Sequence, residues 1–121
     1  VGIEKTVGNF KITVNSVQIV KTDSNSKPQN GQWVILNLKV KNTSDQPEGL
    51  VGKTSLKNAS GQEAQPTWNP SDIVKDNYNY GQIDANSYFD DGILVYDISD
   101  GAPYTFKVVD NGQTQTWNLQ P

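Results

Sequence analysis

The sequence predicts an all-β protein, an antiparallel β-sandwich of seven to eight strands closed without a disulfide. Three observations carry that expectation. Apolar and polar residues alternate over short runs, Gly, Pro and Asn-Gly pairs punctuate those runs, and cysteine is absent. The clearest alternation covers residues 33–42. There Val34, Leu36, Leu38 and Val40 fall on one face, and Asn37, Lys39 and Lys41 on the other. It opens after Asn30-Gly31 and stops in Asn42-Thr43-Ser44-Asp45. The other apolar runs are shorter and must pack against it.

Taken in order, residues 1–8 offer a short first edge strand around Ile3. Phe10, Ile12 and Val14 alternate with Lys11, Thr13 and Asn15, and the apolar phase then moves to Val17 and Ile19. A one-residue change of phase without a turn predicts a β-bulge or bend at Ser16. Residues 21–32 hold no apolar side chain and are expected as an exposed, mobile loop. Gln46-Pro47-Glu48-Gly49 reads as a turn, and residues 53–57 as a short strand around Leu56. Asn58-Ala59-Ser60-Gly61 is a second turn before residues 62–65. Residues 66–86 are the least regular, with one helical turn at Ile73-Val74 capped by Ser71. Residues 92–98 make the second strong strand, buried on much of both faces. Tyr104, Phe106 and Val108 then alternate with Thr105, Lys107 and Val109. Asn111-Gly112 marks a two-residue hairpin into a last strand with Trp117 and Leu119 on one side.

A chain of 121 residues, 34% of them hydrophobic, suits one domain over 1–121. Its net charge is -3 and its pI about 4.7, with a mean hydropathy of -0.63. All ten basic residues are Lys, and they form no run of positive charge, so nucleic acid is not an expected partner. No apolar stretch approaches the roughly 18 residues that span a membrane. The absence of Cys, Met and His suits extracellular life, and it removes Ser-His-Asp catalysis, Cys-His catalysis and an ordinary zinc site. No P-loop or dinucleotide Gly fingerprint occurs. The chain opens on Val1 without a signal-like segment, which points to trimming or processing.

Four runs follow one another: Phe10-Lys11-Ile12-Thr13-Val14-Asn15-Ser16-Val17, residues 31–45, Leu56-Lys57-Asn58-Ala59-Ser60-Gly61-Gln62-Glu63, and Gly92-Ile93-Leu94-Val95-Tyr96-Asp97-Ile98. Over residues 7–109 they resemble the uncharacterised immunoglobulin-like domain family of secreted proteins and lipoproteins of Gram-positive bacteria. That family is similar in fold to a secreted mycobacterial immunoprotective antigen. Its Val-x-Asn-x-Ser/Thr strand end is matched by residues 40–44, and its late Gly-x-Leu-Val-Phe-x-Val strand by residues 92–98 with Tyr96 for Phe. Its Pro-Gly-Glu turn is replaced by Asp84-Ala85-Asn86-Ser87. The resemblance implies an immunoglobulin-like sandwich and an extracellular or cell-surface place, and it leaves open whether a lipid anchor precedes Val1. It transfers no catalytic residues.

Trp68, Tyr78, Tyr80 and Tyr88, with Phe89, lie in or beside the irregular stretch. Such aromatics can form a platform for a sugar or a protein partner, and they can equally cap the open end of a sandwich. Asp84, Asp90 and Asp91 belong to the densest acidic stretch and are the candidate ligands for calcium, although the spacing is not that of an EF-hand and Asp90-Asp91-Gly92 also reads as a turn. Asn42-Thr43-Ser44 and Asn58-Ala59-Ser60 fit the N-glycosylation pattern and also read as turns. The expected function is a non-enzymatic, extracytoplasmic binding domain for a protein or another cell-surface component. The alternative is a carbohydrate-binding or calcium-stabilised accessory module of a larger secreted protein. A small hydrolase using two carboxylates is the third reading.

Overall fold

The computed structural model describes residues 2–21, 31–66 and 82–121, and among them eight strands. These are β1 (Glu4–Val7), β2 (Phe10–Val20), β3 (Trp33–Asn42), β4 (Thr54–Lys57), β5 (Glu63–Ala64), β6 (Tyr88–Asp97), β7 (Tyr104–Asp110) and β8 (Gln113–Leu119). They form two four-stranded antiparallel sheets, ordered β1-β2-β3-β6 and β5-β4-β7-β8. The protein is the antiparallel sandwich that its alternation predicts.

β3 lies between the two longest neighbours, β2 and β6, and its alternation organises the core. Val34, Leu36, Leu38 and Val40 are wholly buried. They share one cluster with Leu56, Tyr104, Phe106, Val108, Trp117 and Leu119 from the second sheet. The predicted bulge is present: the β2–β3 register shifts between Val14 and Ser16, which returns Val17 and Ile19 to the core side. The predicted Asn111-Gly112 hairpin is present as well. Both residues have positive φ, as a type I′ turn requires, and Asp110 pairs with Gln113 across it.

A second bulge was not foreseen. Between Leu38↔Gly92 and Val40↔Phe89, the single residue Lys39 faces both Asp90 and Asp91. Asp90-Asp91-Gly92 is therefore an irregularity inside β6 rather than a turn between elements. Tyr88 and Phe89 correspondingly belong to β6 and not to an irregular segment. Two further expectations need correction. Ile3 lies ahead of β1 and is 62% exposed, and the residue that this strand gives to the core is Val7. Gln32, expected in an exposed loop, is buried and donates its amide Nε2–H to the Tyr104 hydroxyl oxygen at 2.6 Å.

That contact is one of several polar ties between the sheets. Tyr96 of β6 donates its hydroxyl to Thr54 Oγ1 of β4 at 2.9 Å, in the interior. At the end of the sandwich Asp110, only 3% exposed, accepts from the Asn9 backbone N–H at 2.8 Å and from Lys53 Nζ at 2.6 Å. The β1–β2 turn is thereby fastened to the β7–β8 hairpin. Gly8 in that turn has φ 55°, and a Cβ on it would fall inside the Asp110 carboxylate, so the turn tolerates no side chain there. The facing edges of β1 and β8 are stitched by side chains rather than by a ladder: Lys5 to the Thr116 carbonyl, Gln115 to that of Thr6, and Trp117 to that of Ile3. Such bonds occupy edge groups that could otherwise recruit another strand.

Three substitutions test this packing. Leu38→Ala should lower stability by about 2–5 kcal/mol, through lost burial and a residual cavity. Lys39→Ala, on the opposite face, loses only an exposed contact with Tyr88 and should cost less than about 1 kcal/mol. Equal shifts in their urea midpoints would contradict this facing of β3. Asp110→Ala leaves two donors without their acceptor and should cost about 1–3 kcal/mol by the same assay.

Candidate functional site

The outer face of the β1-β2-β3-β6 sheet carries the candidate site. Strand register lays it out in rows. Thr6, Lys11, Lys41 and Tyr88 are successive partners across all four strands. In the next row stand Glu4, Thr13, Lys39 and the Asp90–Asp91 bulge. Period two forces this composition: with Leu38 and Val40 inward, Lys39 and Lys41 must point outward. Tyr88 joins them only because of the bulge. Strict alternation from Gly92, Leu94 and Tyr96 would turn Tyr88 inward, whereas the extra residue sends Phe89 toward the core and leaves Tyr88 half exposed.

Lys39 Nζ lies 4.7 Å and Lys41 Nζ 5.1 Å from the centre of the Tyr88 ring. The negative face of the ring attracts both ammonium groups, by about 0.5–1 kcal/mol each at an exposed site. Lys11 and Lys41 are directly opposed, an arrangement that costs stability in a ladder. Among the described residues, none of Lys11, Lys39 and Lys41 forms an ion pair. Three cations are thus gathered on one rigid face.

The other end of the same face is apolar. Trp33, Ile35 and Val95 are buried there, with Val20 and Ile93 packed against them, and the Trp33 indole N–H has no hydrogen-bond partner among the described residues. Trp33 and Trp117 both hold structural positions, the latter 5.3 Å from Phe106 in the main core.

Of the residues singled out from sequence, Tyr88 is placed in this site. Trp68, Tyr78 and Tyr80 lie outside the described residues, as does the proposed helical turn at Ile73-Val74. Asp84 sits in the turn closed by Ser87 N–H to its carbonyl at 3.2 Å, and both Asp84 and Asp90 are solvent-exposed. Asp91 is described by its backbone alone. No group of three or more His, Cys, Asp or Glu converges among the described residues.

Both glycosylation-like Asn residues are buried and fully engaged. Asn42 donates Nδ2–H to the carbonyls of Gln46 and Ile83, at 2.7 and 3.0 Å, while its Oδ1 accepts from Ser44 N–H and Oγ–H. Asn58 donates to Gln62 Oε1 and the Ser99 carbonyl, and accepts from Ser60 Oγ–H and Gln62 N–H. Lys41-Asn42-Thr43-Ser44-Asp45-Gln46 and Lys57-Asn58-Ala59-Ser60-Gly61-Gln62 are therefore one motif used twice. One copy anchors the approach to β6 and the other its exit. The signal was in the sequence, as a repeated Lys-Asn-x-Ser-x-Gln.

With this fold and face defined, comparison with known proteins places the chain. It belongs to the family described as domain of unknown function DUF4352, whose model matches residues 1–116. No curated protein matches the sequence. Solved structures share the fold at low identity. YcdA of Bacillus subtilis, described as a candidate lipoprotein, is 17% identical with a TM-score of 0.72, and the match covers 96% of this chain and 38% of that one. The DUF4352 chain thus spans well under half the length of that relative. The secreted protein MPT63 of Mycobacterium tuberculosis is 14% identical, with a TM-score of 0.70 over 98% of this chain and 93% of the other. A copper-bound PCuAC domain from PmoF2 is 17% identical, with a TM-score of 0.51 over 96% and 94% of the two chains. Copper favours His, Met and Cys donors, and this sequence contains none of them.

Burial pushes the Tyr96 hydroxyl pKa well above its usual value, despite its bond to Thr54. The neutral phenol is favoured in the fold, so its contribution is intact below about pH 10, where unfolded tyrosine ionises. It is lost as pH rises further. The urea midpoint should therefore fall between about pH 9.5 and 11.5 in the wild type, and fall less in Tyr96→Phe. Equal alkaline slopes would contradict the buried phenol.

Proposed function

We propose that this DUF4352 domain is a non-enzymatic, extracytoplasmic binding module that engages a cell-surface component through the outer face of its β1-β2-β3-β6 sheet. The observation that carries the reading is Tyr88, 50% exposed and flanked by two lysine ammonium groups on a rigid strand framework. Sites built on strands hold their side chains more firmly than sites on loops. The Gram-positive lipoprotein and secreted neighbours support an extracytoplasmic place. The larger size of YcdA supports a module within a longer chain.

Retention on isolated bacterial cell envelopes tests it. Tyr88→Ala should reduce retention at least tenfold while the domain keeps a cooperative thermal transition, lowered only by the loss of its two exposed cation–π contacts. Lys57→Ala, on the outer face of the other sheet, should retain as the wild type does. Equal retention of wild type and Tyr88→Ala would contradict the proposal.

A further inference from the structure

We propose that the component recognised by this face is a linear phosphodiester polyanion of the cell envelope, a polyol-phosphate chain, held by Lys11, Lys39 and Lys41 around Tyr88. The inference rests on the outer-face reading above. Its first support is the unspent charge: the three lysines make no ion pair among the described residues, although two of them stand directly opposed in the ladder. The Lys11–Lys41 opposition costs stability, and among the described residues no carboxylate comes within ion-pair distance of the three lysines. An external anion supplies the missing compensation.

The second support is what Tyr88 does. Its ring gathers the Lys39 and Lys41 ammonium groups within 4.7 and 5.1 Å of its centre. A ring occupied in this way is poorly placed to stack flat against a neutral sugar, and it holds two cations ready for one anion. The third support is the choice of cation. The chain contains Lys and no Arg, so this face offers compact charges without the planar fork that selects carboxylates in two-point contact. Point charges suit tetrahedral phosphates presented in many rotational poses. The spacing also fits a repeating ligand, because opposed lysines lie on strands about 5 Å apart and alternate lysines along β3 are about 7 Å apart.

Charge elsewhere fixes where such a chain can lie. The whole protein carries a net -3, so the residues other than these three lysines are net acidic and on balance repel a polyanion. Glu4 lies beyond Thr13 in the Lys39 row and the Asp90–Asp91 bulge lies opposite Lys39, so the chain follows the Thr6, Lys11, Lys41 and Tyr88 row and meets Lys39 from that side.

Calorimetric titration of the domain with synthetic poly(glycerol phosphate) tests this. Three contacts at about 0.7 each predict a log-log salt slope near -2, so binding should weaken about 20-fold between 50 and 200 mM NaCl. The Lys39→Gln/Lys41→Gln double variant should bind at least tenfold more weakly at 50 mM, with a slope near -0.7. Absence of binding, a flat salt dependence or an unaffected double variant would overturn the proposal. Equally tight binding of polygalacturonate would overturn the phosphate assignment, and equally tight binding of single-stranded oligo-dT would overturn the envelope source. Envelope retention that is lost in Tyr88→Ala but accompanied by no poly(glycerol phosphate) binding would leave the outer-face reading standing and remove only this one.

Discussion

The period-two alternation of β3 is the constraint on which the rest depends. Leu36, Leu38 and Val40 can all be buried only if Asn37, Lys39 and Lys41 all face outward, and a slip of one residue would exchange the two sets. Burying a leucine or valine side chain is worth about 1.5–3 kcal/mol, so four such residues on one strand fix the register firmly. The cationic face is thus a consequence of the core. Because β3 is flanked by β2 and β6, the same register sets Lys11 beside Lys41 and Tyr88 on its other side.

Closing two sheets over that core without a disulfide requires other ties. Tyr96 to Thr54 and Gln32 to Tyr104 cross the interior, each joining one sheet to the other. Both place an aromatic ring in the apolar layer and its oxygen on a partner, so neither phenolic hydroxyl is left bare. Asp110 does the corresponding work at one end, and its demand for space explains Gly8. The repeated Asn motif holds both ends of β6, the strand that carries Tyr88. Core, ties and outer face are linked through these few residues.

Much of this was legible in the sequence, for physical reasons. Alternation revealed β2, β3, β7 and β8, the phase change at Ser16 revealed its bulge, and Asn111-Gly112 revealed its hairpin. What escaped depends on long-range placement. The Gly8-Asn9 turn carries a recognisable hairpin pair, yet the closeness of Asp110 to Gly8 follows only from how the two hairpins meet. Gln32 is polar in a polar run, and its burial depends on Tyr104, far along the chain. Tyr88 was selected as an exposed aromatic, but its partners were hidden. Lys11, Lys39 and Lys41 are scattered in sequence and converge through register and the bulge at Asp90–Asp91. Charge counting along a chain cannot detect a cluster made by strand pairing.

The account therefore makes binding a property of one sheet face rather than of the loops at the ends of the sandwich. Lysine contacts with a flexible polymer suit a module that must stay attached without reading a fixed shape. The most direct measurement is a chemical-shift map, with labelled domain titrated against solubilised envelope polymer and signals followed for every strand. Perturbations confined to Lys11, Lys39, Lys41, Tyr88 and their strand partners are the predicted result. Perturbations centred on the outer face of β4, β7 and β8, or on the turns that join the strands, would contradict it.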